Sequence, residues 1–212
     1  MSAAGRAEVT ALTESQAGWF SNVRADIRRA ALDKNLERRE PGTGEKVAAF
    51  FRLNTQLVLA YRFHHWALGV RVPLAGQLLR IAGAAGQRFL SILTGTYISA
   101  DAKIGPGLVV HTTYGVNIGG TQIGANCTVQ SGVLIAAGSR GIGNNVYFGA
   151  GAKLIGDAGI GDNVVVVANS LVLTDVPSNT TIVGVPARIR LRGGRPQRFK
   201  KPGAAAAAKP TS

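Results

Sequence analysis

The chain has 212 residues, is 46% hydrophobic and carries a formal net charge of +13. That apolar share excludes a chain disordered throughout, and 28 glycines without a G-X-Y period exclude collagen. No run of 18 uncharged apolar residues is present to span a bilayer. The basic excess arrives without a helix-turn-helix, zinc-knuckle or aromatic RNA-binding pattern, so nucleic acid is not expected as a partner.

The first segment, MSAAGRAEVTALTESQ, lacks a basic region leading into an apolar run, so no secretory leader is expected. Residues 1–20 read as a flexible N-terminus. Residues 21–92 read as an α-helical domain. Its first helix is SNVRADIRRAALDKNLERRE, closed by Pro41-Gly42. Its second is GEKVAAFFRLNTQLVLAYRFHHWAL, with apolar residues at helical spacing and Gly69 at its end. A third, PLAGQLLRIAGAAGQRFLSIL, starts with Pro73 in its first turn. His64 and His65 are adjacent on the second helix and cannot share a ligand face, so helix packing is expected of them and no metal site.

From residue 93 the period changes. Aliphatic residues or Phe recur every six positions at Ile98, Ile104, Val110 and Val116, then at Ile123, Val129 and Ile135. After a second seven-residue step come Ile142, Phe148, Leu154, Ile160, Val166 and Val172. Ala102, Cys127, Val133, Ala152, Val164 and Ser170 each follow one of these by four places and are small. Helices repeat at 3.6 and half-buried strands at 2, so neither yields a period of six. Short straight segments joined by tight corners do: three close a triangular coil of about 18 residues, and stacked coils bury a continuous core. Glycine and asparagine at corners supply positive φ. Cys127, the single cysteine, forms no internal disulfide and fits inert packing in a reducing cytoplasm. Residues 193–212 read as a basic, disordered tail ending in the low-complexity GAAAAAKPTS.

His111 follows Val110 at the end of one such segment. Taken alone, it fits a polar corner residue as well as it fits a functional group.

With GVPAR at 184–188 just beyond it, the repeat resembles the hexapeptide-repeat acyltransferases. More narrowly, SADAKIGPGLVVH, IGANCTVQSGVLI, FGAGAKLIG and IVGVPARI, with RADIRR and YRFHHW in the helical part, resemble the serine acetyltransferase family. The likeness covers about residues 20–192. It implies a mainly β fold, with residues 93–192 a left-handed parallel β-helix behind the helical region.

The family resemblance also implies a reaction and a site. His111 would be the general base that takes the proton of an acceptor hydroxyl, which then attacks the thioester of acetyl-CoA as co-substrate. An imidazole titrates near neutral pH, and such a base contributes about 10²–10⁴-fold. Ala150 with Gly151, and Ala168 one 18-residue coil further on, would lie against the pantetheine arm, with Ala137 near the thioester. Lys153, Arg188 and Arg190 would meet the CoA phosphates. Arg140 and Glu40 are the residues implied for the acceptor. A homotrimer, or a dimer of trimers, is the implied assembly.

Three features depart from the family pattern. Val110 stands where an acidic residue usually precedes the histidine, and glycine or threonine stands where a glutamate is common. The turn LIAAGSRGIGNN is short and lacks a second histidine. L-serine is therefore one expected acceptor, and a sugar hydroxyl of an exopolysaccharide or glycolipid precursor is another. For the latter, the basic N-terminal helices and AAFFRLNTQLVLAYRF would rest on a membrane surface. A non-catalytic hexapeptide scaffold is the reading of a different class.

Overall fold

The computed structural model describes residues 18–32, 41–70, 72–192 and 195–196. Among the described residues four helices precede a parallel β-solenoid: α1 (Trp19–Leu32), α2 (Thr43–Phe50), α3 (Leu53–Gly69) and α4 (Ala75–Thr94). The helix expected over residues 44–68 is broken at Phe51 and Arg52, where Arg52 turns extended (φ −72°, ψ 137°) as the N-cap of α3. Neither glycine nor proline causes this break. Tertiary hydrogen bonds hold it: Arg52 donates to Ala30 O (2.8 Å), Asn54 to Val110 O (2.8 Å), and Gln56 reaches back to Phe50 O (2.6 Å). Together these outweigh the modest propensity difference between a continuous and a broken helix. Helix α4 ends at Gly95, whose φ of +60° is the left-handed C-terminal stop that glycine adopts without strain. Gly83 lets α4 approach α3, since a Cβ there would lie 3.0 Å from His64 Cα. Across this contact His64 Nδ1 meets Gln87 Oε1, while His65 Nδ1 turns the other way to Ala100 O. The two histidines pack and diverge.

From Tyr97 onward, two-residue strands build three faces. The first face stacks β1 (Tyr97–Ile98), β4 (Asn117–Ile118), β7 (Leu134–Ile135), β10 (Lys153–Leu154) and β13 (Leu171–Val172). The second stacks β2 (Lys103–Ile104), β5 (Gln122–Ile123), β8 (Gly141–Ile142) and β11 (Gly159–Ile160). The third stacks β3 (Val109–Val110), β6 (Thr128–Val129), β9 (Tyr147–Phe148), β12 (Val165–Val166) and β14 (Thr181–Val183), and β15 (Arg188–Ile189) closes it antiparallel. In each parallel strand the second residue points inward, and the twelve other hexad positions are all buried strand residues.

One register differs from expectation. Ile118, not Val116, pairs with Ile98 and Ile135 on the first face. Val116 is buried two residues earlier, in the small-residue column of Thr96, Val133, Ala152 and Ser170. The step after Val110 is therefore eight residues and the next one five. Both sites accept an aliphatic side chain, so apolar spacing alone did not separate them.

The corners follow the sequence. Asn145, Asn163 and Asn179 take φ of +55°, +55° and +62° and hydrogen-bond in a ladder, Asn145 to Asn163 (3.2 Å) and Asn163 to Asn179 (3.0 Å). Such side chains tolerate the left-handed region while bonding locally.

The helices dock on the first coil through a buried ion pair. Asp26 Oδ1 accepts the N–H groups of Gly107 (2.7 Å) and Leu108 (2.9 Å), and its Oδ2 accepts Arg62 Nε (2.9 Å). Arg62 also donates to Ile104 O and Gly105 O, and Tyr61 to Ala102 O. Arg29 adds bonds to Gly107 O, Cys127 O and Thr128 Oγ1. Burial pushes the Asp26 carboxyl above its usual range, against the pull of Arg62 and the two backbone donors.

Among the described residues no helix is long and apolar enough to cross a membrane. The stretches expected as a flexible N-terminus and a disordered tail lie largely outside the described residues, although Leu191–Arg192 and Arg195–Pro196 pair as antiparallel strands.

Candidate functional site

The extra two residues in the first coil fall directly after His111. Between Val110 and Ile118 lie seven residues, where Val129 and Ile135 are separated by five. The two added residues, Thr112 and Thr113, bulge from the edge joining the third face to the first. His111 stays in the ladder through its N–H, which donates to Val129 O (2.9 Å), while its side chain is exposed at the mouth of this bulge. The helical region holds it from the other side. Asn54, in the first turn of α3, donates to Val110 O (2.8 Å) and His111 O (3.4 Å), and its own Oδ1 accepts the Thr55 N–H. A cavity of about 290 Å³ opens here, lined by Arg52, Leu53, Asn54, His111, Thr112 and Thr113, with Ala30 and Val109 behind.

The same edge continues down the solenoid. Gly132 N–H donates to Tyr114 O, Gly151 N–H to Ser131 O and Asn169 N–H to Ala150 O, each at 2.8 Å, so these corners stack in one column. Ala150 and Ala168 are exposed neighbours in it. Gly151 takes φ +70°, a conformation that favours glycine, and a Cβ on it would displace the Asn169 side chain, whose Oδ1 would lie 2.2 Å away. Two ladder steps of roughly 4.8 Å separate the coils of His111 and Ala150, about 10 Å along the axis. Lys153 is exposed next to this edge on the first face. Arg188 and Arg190 are exposed at the far end, where β15 pairs with β14 and the Arg190 N–H donates to Thr181 O (2.7 Å).

His111, Ala150, Gly151 and Ala168 thus share one edge, with Arg188 and Arg190 beyond its last coil. Ala137 and Arg140 do not. They sit on the edge between the first and second faces, where Arg140 donates to Asp157 O and pairs with Asp175 Oδ1, both at 2.6 Å. Within this chain Arg140 is therefore occupied away from the His111 cavity. Glu40 lies outside the described residues. Reasoning from sequence did not find Arg52 or Asn54, because both sit inside what reads as one uninterrupted helix. The only local signal was the displaced period after Val110, which marks the bulge they face.

No protein-family model matches the chain. Curated relatives do. A serine acetyltransferase of Synechococcus elongatus is 37% identical over 147 residues, covering 66% of this chain and 57% of that protein. One of Staphylococcus aureus strain N315 is 36% identical over 153 residues, covering 68% of this chain and 72% of the relative. The chain belongs to the serine acetyltransferase family. A solved structure from the same family, the Brucella abortus serine acetyltransferase in complex with coenzyme A, superposes with a TM-score of 0.66 at 27% identity, over 90% of this chain and 73% of that one. The solenoid is accordingly the left-handed parallel β-helix of the serine acetyltransferase family, preceded here by four described helices. The chain spans little more than half the length of the Synechococcus relative.

Proposed function

We propose that the protein transfers the acetyl group of acetyl-CoA to the hydroxyl of L-serine, with His111 as the general base. The observation that carries this reading is the position of His111. It stands at the head of an edge of small residues and opens into a cavity of amino-acid size, with its backbone held by both the solenoid and α3. A polar corner residue would not require an enlarged coil or a second element to hold it.

The chemistry follows in one displacement. His111 takes the hydroxyl proton as the serine oxygen forms a bond to the thioester carbonyl carbon. The C–S bond then breaks, and the departing sulfur takes the proton from the imidazolium, giving O-acetylserine and CoA. No acyl-enzyme is needed when both substrates are held together. Exposed Ala150 and Ala168 leave the backbone open to an extended pantetheine arm, and Arg188, Arg190 and Lys153 supply cationic partners for phosphates toward the far end. Ala137 and Arg140, on another edge, reach such a site only from a neighbouring protomer, as in a homotrimer. Exposed Tyr114 (76%) and Val185 (69%) on the His111 side support a covered edge.

Purified protein given acetyl-CoA and L-serine is expected to release free CoA, read with an aromatic disulfide reagent. Release with sugar acceptors and none with serine would replace the acceptor, and absence of any acetyl-CoA binding would leave the scaffold reading. The protein's own thiol does not disturb this assay. Cys127 is fully buried, and desolvation pushes its thiol up to about 11. The thiolate is the reactive form, and only about one in a thousand is present at pH 8. The native protein is expected to give no fast reaction with the reagent, and the guanidinium-unfolded chain to give one thiol per molecule. Fast reaction of the folded protein would contradict the buried placement.

A further inference from the structure

The cavity beside His111 has a charge of its own. Among the described residues that line it, Arg52 and His111 are the only ionisable ones. Arg52 is half-buried and belongs to the break between α2 and α3, which the helical period of the sequence does not predict. Its guanidinium has five N–H donors in a fixed plane. One of them is committed to Ala30 O (2.8 Å), and among the described residues that is its one hydrogen bond. That bond anchors the plane and leaves the other donors for a ligand. The first turn of α3 faces the same space, and its partial positive charge has the same sign. Asn54, which pins His111, follows Arg52 by two residues, so base and guanidinium are set by one short segment.

We infer that Arg52 is the acceptor's carboxylate-binding residue. This rests on the proposed serine acetylation and deepens it. A serine carboxylate held by Arg52 carries the hydroxyl two carbons further on, toward His111 in the wall of the same cavity, and the two-pronged fit of guanidinium to carboxylate would fix its direction. A neutral sugar hydroxyl would leave a half-buried cation without its counter-charge. Arg140, the arginine expected for this task, is instead paired with Asp175 on another edge.

The test compares L-serine with L-serinamide, which keeps the hydroxyl and the amine but has no carboxylate. Wild-type protein is expected to prefer serine in kcat/KM. Arg52→Met is expected to raise KM for serine about 10- to 100-fold, the loss typical of a charge-assisted hydrogen bond, and to abolish the preference over serinamide. KM for acetyl-CoA stays within a factor of two, and Arg52→Lys recovers part of the preference. A purely structural role would slow both acceptors alike and shift the acetyl-CoA constant. If Arg52→Met keeps the wild-type preference for serine, Arg52 is not the carboxylate-binding residue, although serine acetylation stands. If the wild-type protein turns over neither acceptor, the serine assignment falls and the role of Arg52 with it.

Discussion

His111→Ala is expected to slow CoA release by about 10²–10⁴-fold, the range a positioned base contributes, while leaving acetyl-CoA binding intact by calorimetry. The separation follows from the geometry. The exposed alanines of the cofactor edge lie two and three coils below His111, in corners built from backbone hydrogen bonds that the substitution does not touch. The His111 side chain is exposed and outside the hydrophobic core, so little stability is lost with it. Its anchoring bonds to Val129 and Asn54 run through the backbone and survive in alanine. A variant with turnover within threefold of wild type would remove His111 from the mechanism. A variant that no longer binds acetyl-CoA would show that the residue shapes the groove rather than acting on the hydroxyl.

The solenoid was legible because its period is imposed by a narrow core. Every coil must deliver one large side chain per face, and Ile104, Val129, Phe148 and Leu154 have nowhere else to go. The exception, Val116 for Ile118, arose where the coil itself is irregular, beside the cavity of the candidate site. His111 stood out through the motif around it. Its surroundings did not, because the cavity wall is made by tertiary contacts between α3 and β3 that no local pattern encodes. FFRLNTQL satisfies a helical period, and only the bonds from Arg52 and Asn54 to Ala30 and Val110 decide that the chain breaks there. Arg140, implied for the acceptor by the family resemblance, is paired within this chain with Asp175, which the fold brings from two coils away and which no local pattern announces.

The clamp between helices and solenoid yields the second large effect. Arg62→Met is expected to cost about 3–5 kcal/mol in urea unfolding, since it leaves the carboxylate of Asp26 buried without its cation. Asp26→Ala should cost a comparable amount, stranding Arg62 and the N–H groups of Gly107 and Leu108. The double variant should fall short of the sum, because each single change already breaks the shared network; a coupling of roughly 0.5–3 kcal/mol is expected. The pH dependence distinguishes this from simple loss of packing. Desolvation already holds the Asp26 carboxyl above its usual range, and removing Arg62 takes away the strongest opposing influence. A carboxyl whose folded pKa is raised contributes stability that is fully present below its unfolded value, about 3.9, and is lost as pH rises through the folded value. Arg62→Met should therefore recover stability relative to wild type as pH falls from 8 toward 5, and Asp26→Ala should not. Equal penalties at both pH values, with strict additivity, would mean that the pair is not coupled across the interface. Because Asp26 and Arg62 join α1 and α3 to the coil that carries His111, the same variants should also lose turnover with L-serine before the solenoid itself unfolds.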